Sequence, residues 1–228
     1  MGIYTIYHIP APLTNLHLVL DLDQTLIATQ DLFDDLKKLQ IPSDPKLLEI
    51  LTRTYHIVIE DLERPGIGTK YNFWGVIRPH VHEFLLFAVA YFKTVSIWSA
   101  GKRLYVEPIT DHLFKDLPQP HIIFSHDDIL MSPDRHVLKP LTKMLPAVPG
   151  MTLENVMILD DNVMTFSGNT GNGVLIPPYE PPLTIEGLKQ DDHALLQFKQ
   201  WLLKPEVIAC KDIRTIDKSK IFTTPINK

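Results

Sequence analysis

Leu16-His17-Leu18-Val19-Leu20-Asp21-Leu22-Asp23-Gln24-Thr25-Leu26 is the stretch whose reading decides the fold. An apolar run of strand length ends in two carboxylates one residue apart, and a threonine follows. Packing gives no reason for acids there, because burying an ionised carboxylate is costly unless it is paired or bound to metal. Side chains alternate along an extended chain, so Asp21 and Asp23 leave the strand on one side, separated by Leu22. Two acids aimed one way from the mouth of a strand suit a hard cation with oxygen ligands, and phosphoryl chemistry.

Outward from this stretch, apolar runs at 94–98, 122–124, 156–159 and 173–176 read as further strands. Helical patterns fall between them, at about 79–91, 103–115, from Pro140 through Met144, and at 184–203. Near-continuous apolar strands alternating with helices predict an α/β fold: a parallel sheet with helices on both faces. Between Thr29 and Ile77 the pattern is less regular. Short helices are expected at 31–39 and 45–53, then strands at 55–59 and 71–77 joined by a loop with Pro65, Gly66 and Gly68. This is a small hairpin-like insertion after the first strand. Residues 1–15, with Pro10 and Pro12, form a lead-in, and 16–203 form the domain. Residues 204–228 are expected to be a solvated, weakly ordered tail.

The 228 residues suffice for one α/β domain with a small insertion. A net charge of -5 disfavours a long phosphate-backbone footprint, so nucleic acid is not the expected partner. Cys210 is the only cysteine, which rules out an intrachain disulfide and a multi-cysteine zinc site. No apolar run approaches the roughly 20 residues of a membrane span. The N-terminus lacks the basic-then-apolar order of a signal peptide. The expectation is an intracellular protein of nucleus or cytoplasm, with no membrane partner.

The polar residues that matter fall at the ends of separate core strands. Asp21 and Asp23 end the first, Ser99 the next and Asp160-Asp161 the fourth, with Lys139 at the predicted start of a helix between them. Open α/β sheets bind ligands outside the carboxyl ends of their strands, so these residues can converge on one crevice.

With these residues in view, the chain resembles the haloacid dehalogenase (HAD) superfamily of aspartyl phosphatases. It is most similar to the FCP/SCP branch, which acts on the RNA polymerase II C-terminal domain. The resemblance covers about 16–203 and rests on 21–26, on Arg78-Pro79-His80-Val81-His82-Glu83-Phe84, and on Ser99, Lys139 and Leu159-Asp160-Asp161. It implies a HAD-like Rossmannoid sheet and a magnesium-dependent phosphatase for phosphoserine or phosphothreonine in a protein or peptide. Asp21 would be the nucleophile that forms an aspartyl-phosphate, and Asp23 the general acid and base. Mg2+ would be held by Asp21, the Asp23 backbone carbonyl and Asp161, with Asp160 orienting Lys139 or a metal-bound water. Ser99 and Lys139 would hold phosphoryl oxygens, and Thr25 would steady the loop or bond Asp21.

Two positions depart from the branch. Gln24 stands where it usually has Glu, and Ser125-His126 stand where the small phosphatases carry an anion-binding arginine. Rival readings remain open. Asp-x-Asp and Asp160-Asp161-Asn162 also suit turns, Ser99 a helix cap, and Lys139 a solvated surface. The same site also suits a small-molecule or polynucleotide-end phosphatase, and the fold a binding protein without catalysis. The ten histidines show no ligand spacing and read as surface or loop residues. A response-regulator receiver is excluded by order, because here the acid pair 160–161 follows Lys139.

Overall fold

Four consecutive buried residues, His17–Leu20, form β1 of the computed structural model, which describes residues 11–30 and 47–223. The insertion follows. β2 (Ile27–Gln30), α1 (Leu48–Arg53), β3 (Thr54–Glu60) and β4 (Lys70–Ile77) include an antiparallel sheet in the order β2-β4-β3. The expected hairpin is therefore the outer part of a three-stranded sheet. β2 escapes sequence reading because Ile27-Ala28-Thr29-Gln30 is too short to show a period. The expected helix at 31–39 lies outside the described residues.

α2 (Val81–Tyr91) buries Val81, Phe84, Leu85, Ala88 and Tyr91, the spacing of one helical face. It starts two residues after Pro79, because His80 holds a left-handed conformation with φ 65°. Then come β5 (Thr94–Trp98), α3 (Arg103–Leu113) and β6 (Ile123–Phe124). The expected loop at 127–136 instead opens into a small hairpin of β7 (Leu130–Met131) and β8 (Val137–Leu138). The helix expected from Pro140 is a pair of 3₁₀ turns, Leu141–Lys143 and Leu145–Ala147. Pro146 disfavours an α-helix here, since it has no N–H to donate to the Thr142 carbonyl, although α3 accommodates Pro108 in its interior.

β9 (Val156–Asp160) and β10 (Gly173–Leu175) complete the main sheet, whose order is β10-β9-β1-β5-β6 with every pairing parallel. β1 is central, which is why both its faces are apolar. Leu18 and Leu20 pack with residues of α2 and α3, while Val19 meets Trp98, Leu141, Met144 and Ile158 on the other face. Helical segments thus cover both faces, as expected, but the second face is closed by 3₁₀ turns.

The single helix expected at 184–203 is two, α4 (Ile185–Lys189) and α5 (Ala194–Leu202). The break serves Asp192, whose Oδ1 accepts from the Ala194 amide at 3.0 Å and from Arg78 Nε at 2.8 Å. The expected weakly ordered tail is packed against the core as far as Phe222. α6 (Pro205–Ile208) is followed by a 3₁₀ turn at Ile213–Thr215, and Val207, Ile213 and Ile221 are buried.

Candidate active site

The site is built where β1 ends. The Leu22 carbonyl accepts from the amides of Thr25, Leu26 and Ile27 at 3.2, 2.8 and 3.1 Å, which curls the chain back at once. Gln24 turns the corner in the left-handed region, with φ 60°. Non-glycine residues held there cost roughly 1–3 kcal/mol and collect at functional sites. The turn delivers Asp21, Asp23 and Gln24 into one cleft with Ser99 from the end of β5, Lys139 after β8, and Asp160 and Asp161 from the end of β9. The cleft encloses about 250 Å³ and lies at the carboxyl ends of the parallel strands.

Lys139 is the centre of charge. Its side chain is only 2% exposed, and Nζ donates to Asp21 Oδ1 at 2.6 Å and to Asp160 Oδ2 at 2.7 Å. Its amide donates to the Thr165 carbonyl at 2.6 Å, fixing the stem from below. Burial alone would lower the lysine pKa, but attraction to Asp21 and Asp160 outweighs it and holds the ammonium above the usual lysine range. Asp160 spends its other oxygen on the Asn162 amide at 2.9 Å, so both oxygens are engaged. Its position is that of a clamp on Lys139.

Asp23 faces a different set of partners. Its Oδ1 accepts from Tyr105 Oη at 2.5 Å and from Thr29 Oγ1 at 2.9 Å. Thr29 in turn lies 2.6 Å from the Tyr55 hydroxyl and 2.6 Å from that of Tyr105. Gly75 on β4 makes room for this, since a Cβ there would run into the Tyr55 ring and the Ala28 carbonyl. Burial pushes the Asp23 carboxyl above its ordinary range, and the two hydroxyls partly oppose that.

The remaining residues complete the wall. Ser99 is 1% exposed, and its Oγ accepts from the Gly101 amide at 3.0 Å, which leaves its own O–H to donate into the cleft. Thr25 is fully buried below the cleft and donates to Asp161 Oδ1 at 3.3 Å. Arg78, 0% exposed, donates to the Thr25 carbonyl at 3.0 Å, to the Pro177 carbonyl at 2.8 Å and to both oxygens of Asp192 at 2.8 and 2.9 Å. It ties the turn after β1 to the loop after β10 and to the start of α5.

The donor set fits a hard divalent cation. Asp21, Asp160 and Asp161 present carboxylate oxygens within 4.8 Å of one another. Four carboxylates share the cleft with one ammonium, and burial is the leading cause that raises Asp21, Asp23 and Asp161 above the usual range. Such an excess of buried negative charge is relieved by a cation with oxygen ligands. Of the three acids, Asp21 and Asp161 keep an oxygen free of the bonds described above, and Asp160 does not.

All seven residues singled out in the sequence meet here: Asp21, Asp23, Thr25, Ser99, Lys139, Asp160 and Asp161. The sequence reading missed Thr29, Tyr55 and Tyr105, whose contacts on Asp23 or on each other span 6 to 82 residues. His126 is exposed and lies outside the cleft lining.

Two solved structures share the fold. One is the fission yeast RNA polymerase II CTD phosphatase Fcp1-R271A bound to beryllium fluoride, with a TM-score of 0.57 and 19% identity, covering 82% of this chain and 49% of that one. The other is Fcp1, an essential RNA polymerase II CTD phosphatase, with a TM-score of 0.57 and 18% identity, covering 90% of this chain and 59% of that one. The chain thus spans about half the length of these neighbours, and the likeness at this identity is one of fold. No curated protein matches its sequence significantly. The family model of the NLI interacting factor-like phosphatases matches residues 16–214, nearly the whole described chain, and the protein belongs to that family.

Proposed function

We propose that the protein is a magnesium-dependent phosphatase working through an aspartyl-phosphate, with phosphoserine or phosphothreonine in a protein or peptide as substrate. One observation carries the reading: a single buried lysine bonded to Asp21 and Asp160 in a cleft that also holds Asp23, Ser99 and Asp161. Asp21 lies at the cleft floor with one oxygen held by Lys139 and the other available to attack phosphorus. Asp23 is fixed by Tyr105 and Thr29 through Oδ1. That leaves Oδ2 to protonate the leaving oxygen and then to take a proton from the attacking water. Ser99 and Lys139 supply donors for phosphoryl oxygens as these gain charge. Bound at Asp21, Asp161 and the Asp23 backbone carbonyl, Mg2+ would neutralise the repulsion between an anionic nucleophile and an anionic substrate.

The RNA polymerase II C-terminal domain named for the structural neighbours is the first peptide to try. A net charge of -5 places polynucleotide ends below peptides. In the test, an aryl phosphate and a panel of phosphoserine and phosphothreonine peptides are incubated in Mg2+ with wild type and Asp21→Asn. Turnover on peptides that vanishes in Asp21→Asn is expected. Undiminished turnover in that variant would sink the mechanism, and turnover confined to small phosphates would sink the substrate class.

A further inference from the structure

A second group of ligands lies away from the cleft, where α2 begins and where α4 gives way to α5. His80 precedes α2, and Asp191 and His193 belong to the break before α5. Their ligand atoms lie within 4.8 Å of one another. His80 Nε2 donates to Asp191 Oδ1 at 2.9 Å, and His193 Nδ1 lies 3.4 Å from Asp191 Oδ2. That second pair is close without hydrogen-bond alignment, and His193 Nδ1 is shielded from solvent with no hydrogen-bond partner. Zinc-to-ligand bonds of about 2.0 Å set the edges of a tetrahedron at about 3.3 Å. The two separations, which run to different oxygens of Asp191, are each near that length, and small side-chain rotations would bring one oxygen to both rings.

The backbone adds an independent observation. His80 sits at φ 65° and ψ 7°, a left-handed conformation that strongly favours glycine. It makes no side-chain cap for α2. A histidine held there at a conformational cost, with its ring turned to Asp191 and 5.9 Å from that of His193, is placed for what the ring contacts. The surrounding charges suit a cation. Glu83 Oε2 lies 3.9 Å from His80 Nδ1, and Asp192 is adjacent in sequence, while Arg78 is spent on Asp192 and Lys199 on Glu83. His80 and Asp191 themselves line a cavity of about 360 Å³ together with Glu49, Lys189 and Arg53, and the Arg53 guanidinium is held by the carbonyls of Ile77 and Leu188.

We propose that His80, Asp191 and His193 bind one divalent cation of the zinc class, which joins the start of α2 to the break between α4 and α5. Two imidazoles and one carboxylate are the mixed nitrogen and oxygen set that zinc accepts and magnesium does not favour. Binding displaces the proton that His80 now shares with Asp191, and water fills the fourth position. The site is separate from the phosphatase reading and stands or falls without it.

The test is calorimetric titration of the full chain with Zn2+ in excess Mg2+, paired with melting curves and with Co2+ as a spectroscopic stand-in. One equivalent should bind, Tm should rise by about 5–10 °C at zinc a hundredfold above Kd, and Co2+ should give tetrahedral absorption. His80→Gly keeps the backbone comfortable and should melt no lower than wild type without metal. It and Asp191→Asn should each weaken binding by more than the roughly 10–100-fold that losing an outer-shell partner costs. Absence of saturable binding would overturn the proposal. So would binding that survives His80→Gly and Asp191→Asn, or that disappears in Asp21→Asn/Asp161→Asn, since the ion would then belong elsewhere.

Discussion

The proposed proton transfer by Asp23 needs a carboxyl that points the same way at every turnover, and two hydroxyls on Oδ1 restrain it. Tyr105→Phe removes the shorter bond without changing volume. The expected result is a kcat about 10–100-fold lower on phosphoserine peptides, within the range general acid catalysis supplies, and a smaller loss on an aryl phosphate whose leaving group needs little protonation. Equal losses on both substrates would place Tyr105 in some other task. Lys139 gives a contrasting case. Lys139→Met leaves Asp21 and Asp160 buried side by side without their cation, and breaking a buried pair costs about 3–5 kcal/mol. Urea unfolding without divalent cation should show that loss near neutral pH. The deficit should narrow as pH falls and Asp21, whose carboxyl burial already holds well above the usual range, takes up a proton. The residues that face these tests were unequally visible in the sequence. Asp21, Asp160 and Asp161 betray themselves locally, as acids at the ends of apolar runs. Tyr55 and Tyr105 look like ordinary core aromatics, and only a fold that brings chain segments 26 to 82 residues apart into contact shows what their hydroxyls do.

At the scale of elements, β1, β5 and β9 were legible because a strand buried on both faces needs a continuous apolar run. The continuity of an apolar pattern also misled. Residues 184–203 keep helical spacing, yet the helix stops at Lys189 because Asp192 is claimed by Arg78 from 114 residues away. β1 carries a further consequence at its first residue. His17 is fully buried, its Nδ1 is 2.8 Å from Thr94 Oγ1, and its Nε2 has no partner. Burial, reinforced by the charge of Lys93, pulls its pKa from 6.5 down to about 4. The unfolded chain therefore binds a proton near pH 6.5 that the folded chain refuses until about pH 4. Stability contributed by neutral His17 is complete above pH 6.5 and is lost as pH falls towards 4, by up to about 3 kcal/mol. His17→Leu should flatten that part of the stability curve. Parallel curves for wild type and His17→Leu between pH 6.5 and 4 would refute the assignment.

For the whole molecule, the last described stretch decides how much chain the fold needs. Its lysines and acids read as a solvated tail in the sequence, because the apolar residues among them are too sparse to show a period. The structure spends them differently. Val207, Ile213 and Ile221 are buried in the larger core, and the Ile213 amide donates to the Glu154 carbonyl at 2.8 Å, just before β9. Lys218 Nζ, one of those lysines, donates to the carbonyls of Gly171, Ile213 and Ile216 at 2.9, 2.6 and 3.1 Å. Trp201 Nε1 of α5 donates to the Asp217 carbonyl at 3.2 Å. Each fully buried aliphatic side chain contributes about 1.5–3 kcal/mol, so losing three approaches the roughly 5–15 kcal/mol that separates a folded domain from its unfolded chain. A chain ended after Leu203 should therefore show no cooperative melt by circular dichroism, while one ended after Thr223 should melt with the full-length protein. A cooperative transition within a few degrees of wild type in the shorter chain would show that the core closes without this segment. Partial loss, with a lower Tm and intact cooperativity, would measure what the three side chains contribute.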